Sequence, residues 1–223
     1  MVLLQIASDT TALTPAAESI SILDLAMKGG VIMIPLALMW VFALYIFFER
    51  LLTINKAGKV PATFMNNVKD LVIRGDINGA KLVCSQSDTP IARIIEKGIM
   101  RIGKPIENIE KSMENTGRLE LYKMEKNMVI LTIIAGVAPM FGFLGTIAGM
   151  IQTFFNISIT SDITLGTIAG GIYVKMITSA TGLIIGIMAY IGFSYLNAQI
   201  DKVVNQMEAA SAEFIDVLYA PVK

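Results

Sequence analysis

Apolar residues fall into three long runs that are separated by polar segments. Residues 31–48, 128–155 and 172–196 carry no charged residue apart from Lys175. Each run is long enough to cross a hydrocarbon core of about 30 Å as a helix that rises about 1.5 Å per residue. We therefore predict three transmembrane helices over these ranges, with a short loop at 156–171 between the second and the third.

The residues before the first span contain one further helical pattern. Residues 19–30 place Ile20, Leu23 and Met27 at helical spacing among polar residues. This pattern predicts a short amphipathic helix at the membrane interface, after a polar leader at 1–18. The alternative is that the whole stretch is an unstructured leader.

Residues 49–127 form the one large polar segment, and their boundary signals are those of helices. Pro61 and Pro90 each open an amphipathic stretch, and Asp76 is a candidate N-cap for the helix that follows it. The segment is therefore predicted to be a helical domain.

The second and third spans are predicted to continue into this domain. From Ile106 onward only Gly117 interrupts the helical pattern, so we expect one long helix running directly into the second span. Residues 197–223 are also helical in pattern and extend the third span. The predicted fold is an all-α integral membrane protein with three transmembrane helices, two of which extend into a helical cytoplasmic domain.

Basic residues are distributed unevenly, which predicts the orientation. Fourteen of the 18 Lys and Arg residues lie in 49–127, whereas Lys28 and Lys175 lie at the opposite ends of the spans. Because basic residues near span ends favour the cytoplasmic side, residues 49–127 and the C-terminus are predicted inside. The N-terminus and the 156–171 loop are then outside.

Composition agrees with a membrane protein and excludes several other classes. Hydrophobic residues make up 54 % of the chain and charged residues 16 %, against about 25 % charged in soluble proteins. A net charge of zero argues against nucleic-acid binding. The chain has no histidine and Cys84 is its single cysteine, which excludes histidine catalysis, clustered cysteine metal sites and an internal disulfide. We expect no enzyme activity, cofactor or metal site.

The second and third spans differ from the first because small and hydroxyl residues line one face of each. Small residues let transmembrane backbones approach closely, so some of these positions are expected to pack helices together. The candidates for helix packing are Pro139, Gly142, Gly145, Gly149, Gly182 and Gly186. The candidates for lining a pore or proton path are Thr146, Ser179, Thr178, Thr181 and Lys175.

Each pore candidate also has a simpler interpretation. Thr146 and Ser179 could face a shared polar interior, or their hydroxyls could only bond to the preceding turn. Lys175 could bias the potential near a partner's carboxylate, or its ammonium could reach water at the outer boundary. No Asp, Glu or His lies in any span. A proton path would therefore need a titrating group from a partner helix.

Two stretches resemble a known family. Residues 138–151, APMFGFLGTIAGMI, resemble the second-span signature of the MotA/TolQ/ExbB proton-channel family, and residues 178–183, TSATGL, resemble its third-span motif. The order of spans resembles the ExbB/TolQ branch, ExbB most of all. In this resemblance Thr146 matches a pore-facing threonine, and Ser179 stands in place of a second one. Val174 stands where many members have glutamate.

The resemblance implies a homopentamer in the bacterial inner membrane, with a periplasmic N-terminus and a cytoplasmic C-terminus. It implies a single-span partner like ExbD or TolR, whose membrane Asp carries the proton, and a TonB-like protein that passes the work to outer-membrane transport. A TolQ-like or motility stator and a non-conducting structural scaffold stay open as alternatives. A small-solute transporter is disfavoured because no polar cluster lies at mid-membrane.

Overall fold

The computed structural model describes residues 29–61, 63–160 and 165–219, and the regular structure of these residues is entirely helical. The predicted all-α fold is thereby confirmed. The described helices are α1 Met33–Ala57, α2 Phe64–Ile73, α3 Ile77–Ser85, α4 Pro90–Ile99, α5 Ile106–Glu125, α6 Met128–Thr160 and α7 Leu165–Tyr219. The predicted leader at 1–18 lies outside the described residues. So does the predicted amphipathic helix at 19–30, apart from Gly29 and Gly30.

Three of these helices contain a stretch long and apolar enough to cross a membrane, at Met33–Ala57, Met128–Ile159 and Ile168–Tyr219. The prediction of three transmembrane helices is therefore confirmed. α7 runs for 55 residues without a break, from its apolar first half into its polar second half. The third span thus extends beyond the membrane as expected, although residues 220–223 lie outside the described part.

The connection between α6 and α7 is shorter than the loop predicted at 156–171. α6 continues to Thr160 and α7 begins at Leu165, so the described flanks of the predicted loop are helical. Neither flank contains proline, and the backbone hydrogen bonds of both helices therefore continue to these ends.

The expected continuous helix into the second span is wrong at one point. α5 ends at Glu125, Lys126 is extended with ψ of 133°, and α6 begins at Met128. Between them Asn127 has φ of +66°, in the left-handed region. Asparagine adopts this conformation more readily than other residues with a side chain, because its short amide can bond locally. Asn127 is the residue in the sequence that could have indicated this break, but it follows the charged residues Glu125 and Lys126, which fit a continuous helix.

The helical domain is a layer of α2 to α5, each packed against the next, with the second half of α7 across α4 and α5. Asp76 caps α3 by accepting the Gly79 N–H at 2.9 Å, as predicted. The core between α4, α5 and α7 is tight. A methyl group on Gly98 would lie 2.7 Å from both the Met113 sulfur and the Phe214 ring.

A cluster of charged residues ties the domain to the first span beside the break. Arg50 of α1 is 6 % exposed and donates to the carbonyl oxygen of Lys123 at 3.1 Å. Glu120 of α5 is 3 % exposed and accepts from Arg93 and Lys123, each at 2.6 Å. Burial raises the pKa of Glu120, but the hydrogen bonds from Arg93 and Lys123 outweigh it and leave this pKa below its ordinary value.

Candidate functional site

The candidate site is the contact between α6 and α7, the largest between any two described helices. The two helices run antiparallel, because Gly186 lies against Ala135 at one end and Gly171 lies against Thr153 at the other. We call this contact the seam. The structure places all six residues predicted to pack helices along it.

At the centre of the seam the two backbones touch. A methyl group on Gly182 would lie 2.5 Å from the Ala138 carbonyl oxygen and 2.9 Å from the Gly142 Cα. A methyl group on Gly142 would lie 2.9 Å from the Thr178 carbonyl oxygen. Because these neighbours belong to the backbone and cannot rotate away, only glycine fits both positions at this helix spacing.

At the two ends of the seam, glycines of α7 pack against side chains of α6. A methyl group on Gly186 would lie 2.6 Å from the Pro139 ring, and one on Gly171 would lie 2.7 Å from the Thr153 hydroxyl oxygen. Gly171 was not among the predicted packing residues. Its spacing could have revealed it, because it stands two helical turns before Thr178, on the same face.

Lys175 lies in the half of the seam that is farther from the helical domain. Its aliphatic stem crosses Gly149, where any side chain would overlap the Lys175 methylenes. Within the described residues of 128–160 and 165–200, Lys175 is the only Asp, Glu, Lys or Arg. Residues 128–160 and 165–200 therefore offer one lysine and several hydroxyls, but no carboxylate that could carry a proton.

Thr178 lies inside the chain. It is 1 % exposed, and its hydroxyl donates to the Lys175 carbonyl oxygen at 2.7 Å. A methyl group on Gly145 would lie 3.0 Å from the Thr178 hydroxyl oxygen. This position favours a packing role for Thr178 within the subunit, because its side chain does not reach a surface of the chain.

Thr146 and Ser179 are half-buried and flank the seam on one side. Each follows a residue at the contact, Gly145 on α6 and Thr178 on α7, so each is turned by about 100° in the same rotational sense. In an antiparallel pair, positions displaced in the same sense lie on the same side of the contact. The Thr146 hydroxyl donates to the Phe143 carbonyl oxygen at 2.6 Å, and its oxygen can still accept.

Thr181 lies on the other side of the seam. It stands three helical turns before Gly192, on the same face of α7, and a methyl group on Gly192 would lie 3.0 Å from the Phe47 ring of α1. α1 therefore covers the side of Thr181. Thr146 and Ser179 lie on the side away from α1, and Thr181 is not brought together with them.

The chain is similar to known proteins over half or more of its length. Residues 86–209 match the family model of the MotA/TolQ/ExbB proton channel family. A Methanothermobacter thermautotrophicus protein named as an ExbB homologue in biopolymer transport is 26 % identical over 189 residues, 84 % of this chain and 67 % of its own. An ExbB-like protein of Synechocystis is 27 % identical over 204 residues, 90 % of this chain and 80 % of its own. The Tol-Pal system protein TolQ of Pseudomonas aeruginosa is 26 % identical over 117 residues, 52 % of this chain and 51 % of its own.

Proposed function

Because this chain belongs to the MotA/TolQ/ExbB proton channel family, we propose that it is the proton-channel or stator subunit of an ExbB-ExbD-TonB-type complex. Several copies surround the membrane helix of an ExbD-like or TolR-like partner, as a pentamer by resemblance. Proton flow moves the partner, and a TonB-like protein carries the work to outer-membrane transport. The complex lies in a bacterial inner membrane.

One observation carries the proposal. Thr146 and Ser179 lie on the same side of the seam, the side that α1 leaves uncovered, and residues 128–160 and 165–200 contain no carboxylate. This face supplies hydroxyls to a neighbour but no titrating acid. A partner helix that brings one Asp to this face would complete a proton site that neither chain holds alone.

The magnitudes allow the hydroxyls to control that Asp. An Asp at mid-membrane costs about 2.5–3.5 kcal/mol on insertion scales. A hydrogen bond to a charged group contributes about 1.5–3 kcal/mol. Because the two are comparable, pairing with Thr146 or Ser179 can decide whether the partner's Asp keeps its proton. A hydroxyl suits this role because its oxygen accepts from the acid and its O–H donates to the carboxylate. For Thr146 the second bond requires the O–H to turn away from the Phe143 carbonyl oxygen to which it donates in the single chain.

The test is proton flux in liposomes that hold this chain with and without its ExbD-like partner. The partner is used with its membrane Asp intact or changed to Asn. Flux that needs both the partner and the Asp supports the proposal. Flux from this chain alone, or flux that survives the change to Asn, would refute it.

Variants at Thr146 separate the channel from a structural scaffold. The close backbone contacts of the seam are also what a scaffold would need. Thr146→Ser keeps the hydroxyl and should keep flux, whereas Thr146→Val removes it and should abolish flux while the oligomer still assembles. Equal behaviour of both variants would favour the scaffold.

The orientation and the cellular system complete the proposal. With 14 of the 18 basic residues in 49–127, the helical domain lies in the cytoplasm, the N-terminus in the periplasm and the C-terminus in the cytoplasm. A TolQ-like or motility stator is the alternative. Restoring outer-membrane uptake in a strain that lacks ExbB, but not the Tol phenotype of one that lacks TolQ, would distinguish the roles.

A further inference from the structure

A groove of about 510 Å³ lies between α5 and α7 in the helical domain. Its floor is apolar and is formed by Ile94, Met113, Val204, Met207 and Ile215. Its size is that of a typical binding pocket. Ile94, Met113 and Met207 are buried beneath the groove, whereas Val204 and Ile215 are partly exposed in the single chain. Apolar side chains of a partner would cover the exposed parts of Val204 and Ile215.

The rim of the groove is acidic. Among the described lining residues are the carboxylates Glu110, Glu114, Glu208 and Asp216 and one guanidinium, Arg118. Arg118 donates to Glu114 at 2.6 Å, so this pair neutralises itself. The rim therefore keeps an excess of negative charge, which fits a basic segment of a partner.

The groove lies on the same face of α7 as Ser179. α7 is unbroken, and Glu208 follows Ser179 by 29 residues, about eight turns and 20° of an ideal helix. Ile215 follows by 36 residues, which is about ten whole turns. The face assigned to the partner helix in the membrane therefore continues into the acidic groove.

From these observations we propose that the groove binds the cytoplasmic segment of the same single-span partner, through basic residues on either side of an apolar stripe. This rests on the proposed function. Residues on the cytoplasmic side of a span are enriched in Lys and Arg, so such a segment has the charge that the rim requires. The distance from Ser179 to Glu208 is about 44 Å along α7. The basic residues should thus be separated from the partner's Asp by about 13 residues if the segment is extended or about 29 if it is helical.

The chain offers a matched pair of positions for a cross-linking test. Ala212 lines the groove and Ala209, one turn earlier, does not, and both are exposed. A photo-reactive amino acid is placed at either position in the complex with the partner, in membranes. We expect a product with the partner from Ala212 and at least about tenfold less from Ala209. Equal products from both positions would overturn the proposal.

Charge reversal tests the recognition itself. The double variant Glu110→Lys and Glu208→Lys should lower the yield of the cross-link between position 212 and the partner about tenfold or more. Reversing the partner's basic residues to Glu should restore that yield. An unchanged yield would overturn the charge argument, and a product with a second copy of this chain would assign the groove to self-association instead.

Flux measured on the same samples separates the two proposals. A complex that conducts protons but gives no partner product from Ala212 would refute the groove assignment and leave the proposed function standing. An unmodified complex that does not conduct protons would refute both the proposed function and the groove assignment.

Discussion

Replacing Gly182 by alanine tests whether the seam depends on direct contact between two backbones. The new methyl group would lie 2.5 Å from the Ala138 carbonyl oxygen and 2.9 Å from the Gly142 Cα. Ordinary contacts between such atoms are about 3.5 Å or longer. Because neither neighbour is the free end of a side chain, α6 and α7 must separate by about 1 Å to admit it.

The expected cost follows from two opposing effects. Forcing an extra methyl group into a close-packed contact costs about 1–3 kcal/mol. Alanine favours a helix over glycine by about 1 kcal/mol, which offsets part of that cost. We therefore expect Gly182→Ala to lower the free energy of unfolding by about 0–2 kcal/mol net. For a chain of this size the Tm should fall by up to roughly 8 °C, and it should not rise.

Gly136 provides the control on the same pair of helices. A methyl group on Gly136 would find nothing within 4 Å among the described residues, so Gly136→Ala keeps only the gain in helix propensity. Its Tm should rise by about 2–4 °C. Gly145→Ala should fall between the two, because its neighbour is the Thr178 hydroxyl at 3.0 Å and not backbone.

Thermal unfolding of the purified protein in detergent, followed by circular dichroism at the helical band, measures all three variants. If Gly182→Ala and Gly136→Ala raise the Tm equally, the backbones do not touch in the protein. The argument that places Thr146 and Ser179 on one side of the seam would then fail with it.

Two further predictions concern the helical domain and its connection to the membrane. At neutral pH, Glu120→Gln should lower the free energy of unfolding by about 1–3 kcal/mol, because Arg93 and Lys123 lose their buried carboxylate. The folded-state pKa of Glu120 lies below its ordinary value of about 4.5. The difference in unfolding free energy between wild type and variant should therefore shrink below pH 4.5, as the carboxylate gains its proton. A difference in unfolding free energy that does not change with pH would contradict the role of the Glu120 charge. Asn127→Ala should lower the Tm by a few degrees, because φ of +66° is unfavourable for alanine, whereas Asn127→Gly should not lower it. A higher Tm for the alanine variant would show that the break is not required.

The sequence allowed the larger features to be predicted because each depends on a long pattern. Three apolar runs of this length predict three transmembrane helices without ambiguity. The start of the helix after Asp76 was predictable because aspartate is a common N-cap. The errors are local. The left-handed Asn127 is a single residue that follows two charged ones. Residues 156–160 and 165–171, predicted to lie in a loop, are helical because their sequence also fits a helix.

The positions of the candidate hydroxyls needed the structure. Thr178, Ser179 and Thr181 lie within one turn of each other, and their residue types do not tell which faces a neighbour. Only the register of α7 against α6 separates them. It turns Thr178 to Gly145 inside the chain, turns Thr181 towards the side of α1, and leaves Ser179 on the same side of the seam as Thr146.

The second and third spans connect to the helical domain differently, one through a broken helix and the other through a continuous one, and the difference bears on how force would be transmitted. α7 is one helix from the level of Lys175 to the acidic groove, with no break in its backbone hydrogen bonds. The other path is interrupted at Asn127, and beside that break Arg50 of α1 holds the end of α5 through the Lys123 carbonyl oxygen. A force applied near Ser179 would therefore reach the groove through α7 without crossing a break in the helix, whereas the path through α6 and α5 crosses the break at Asn127.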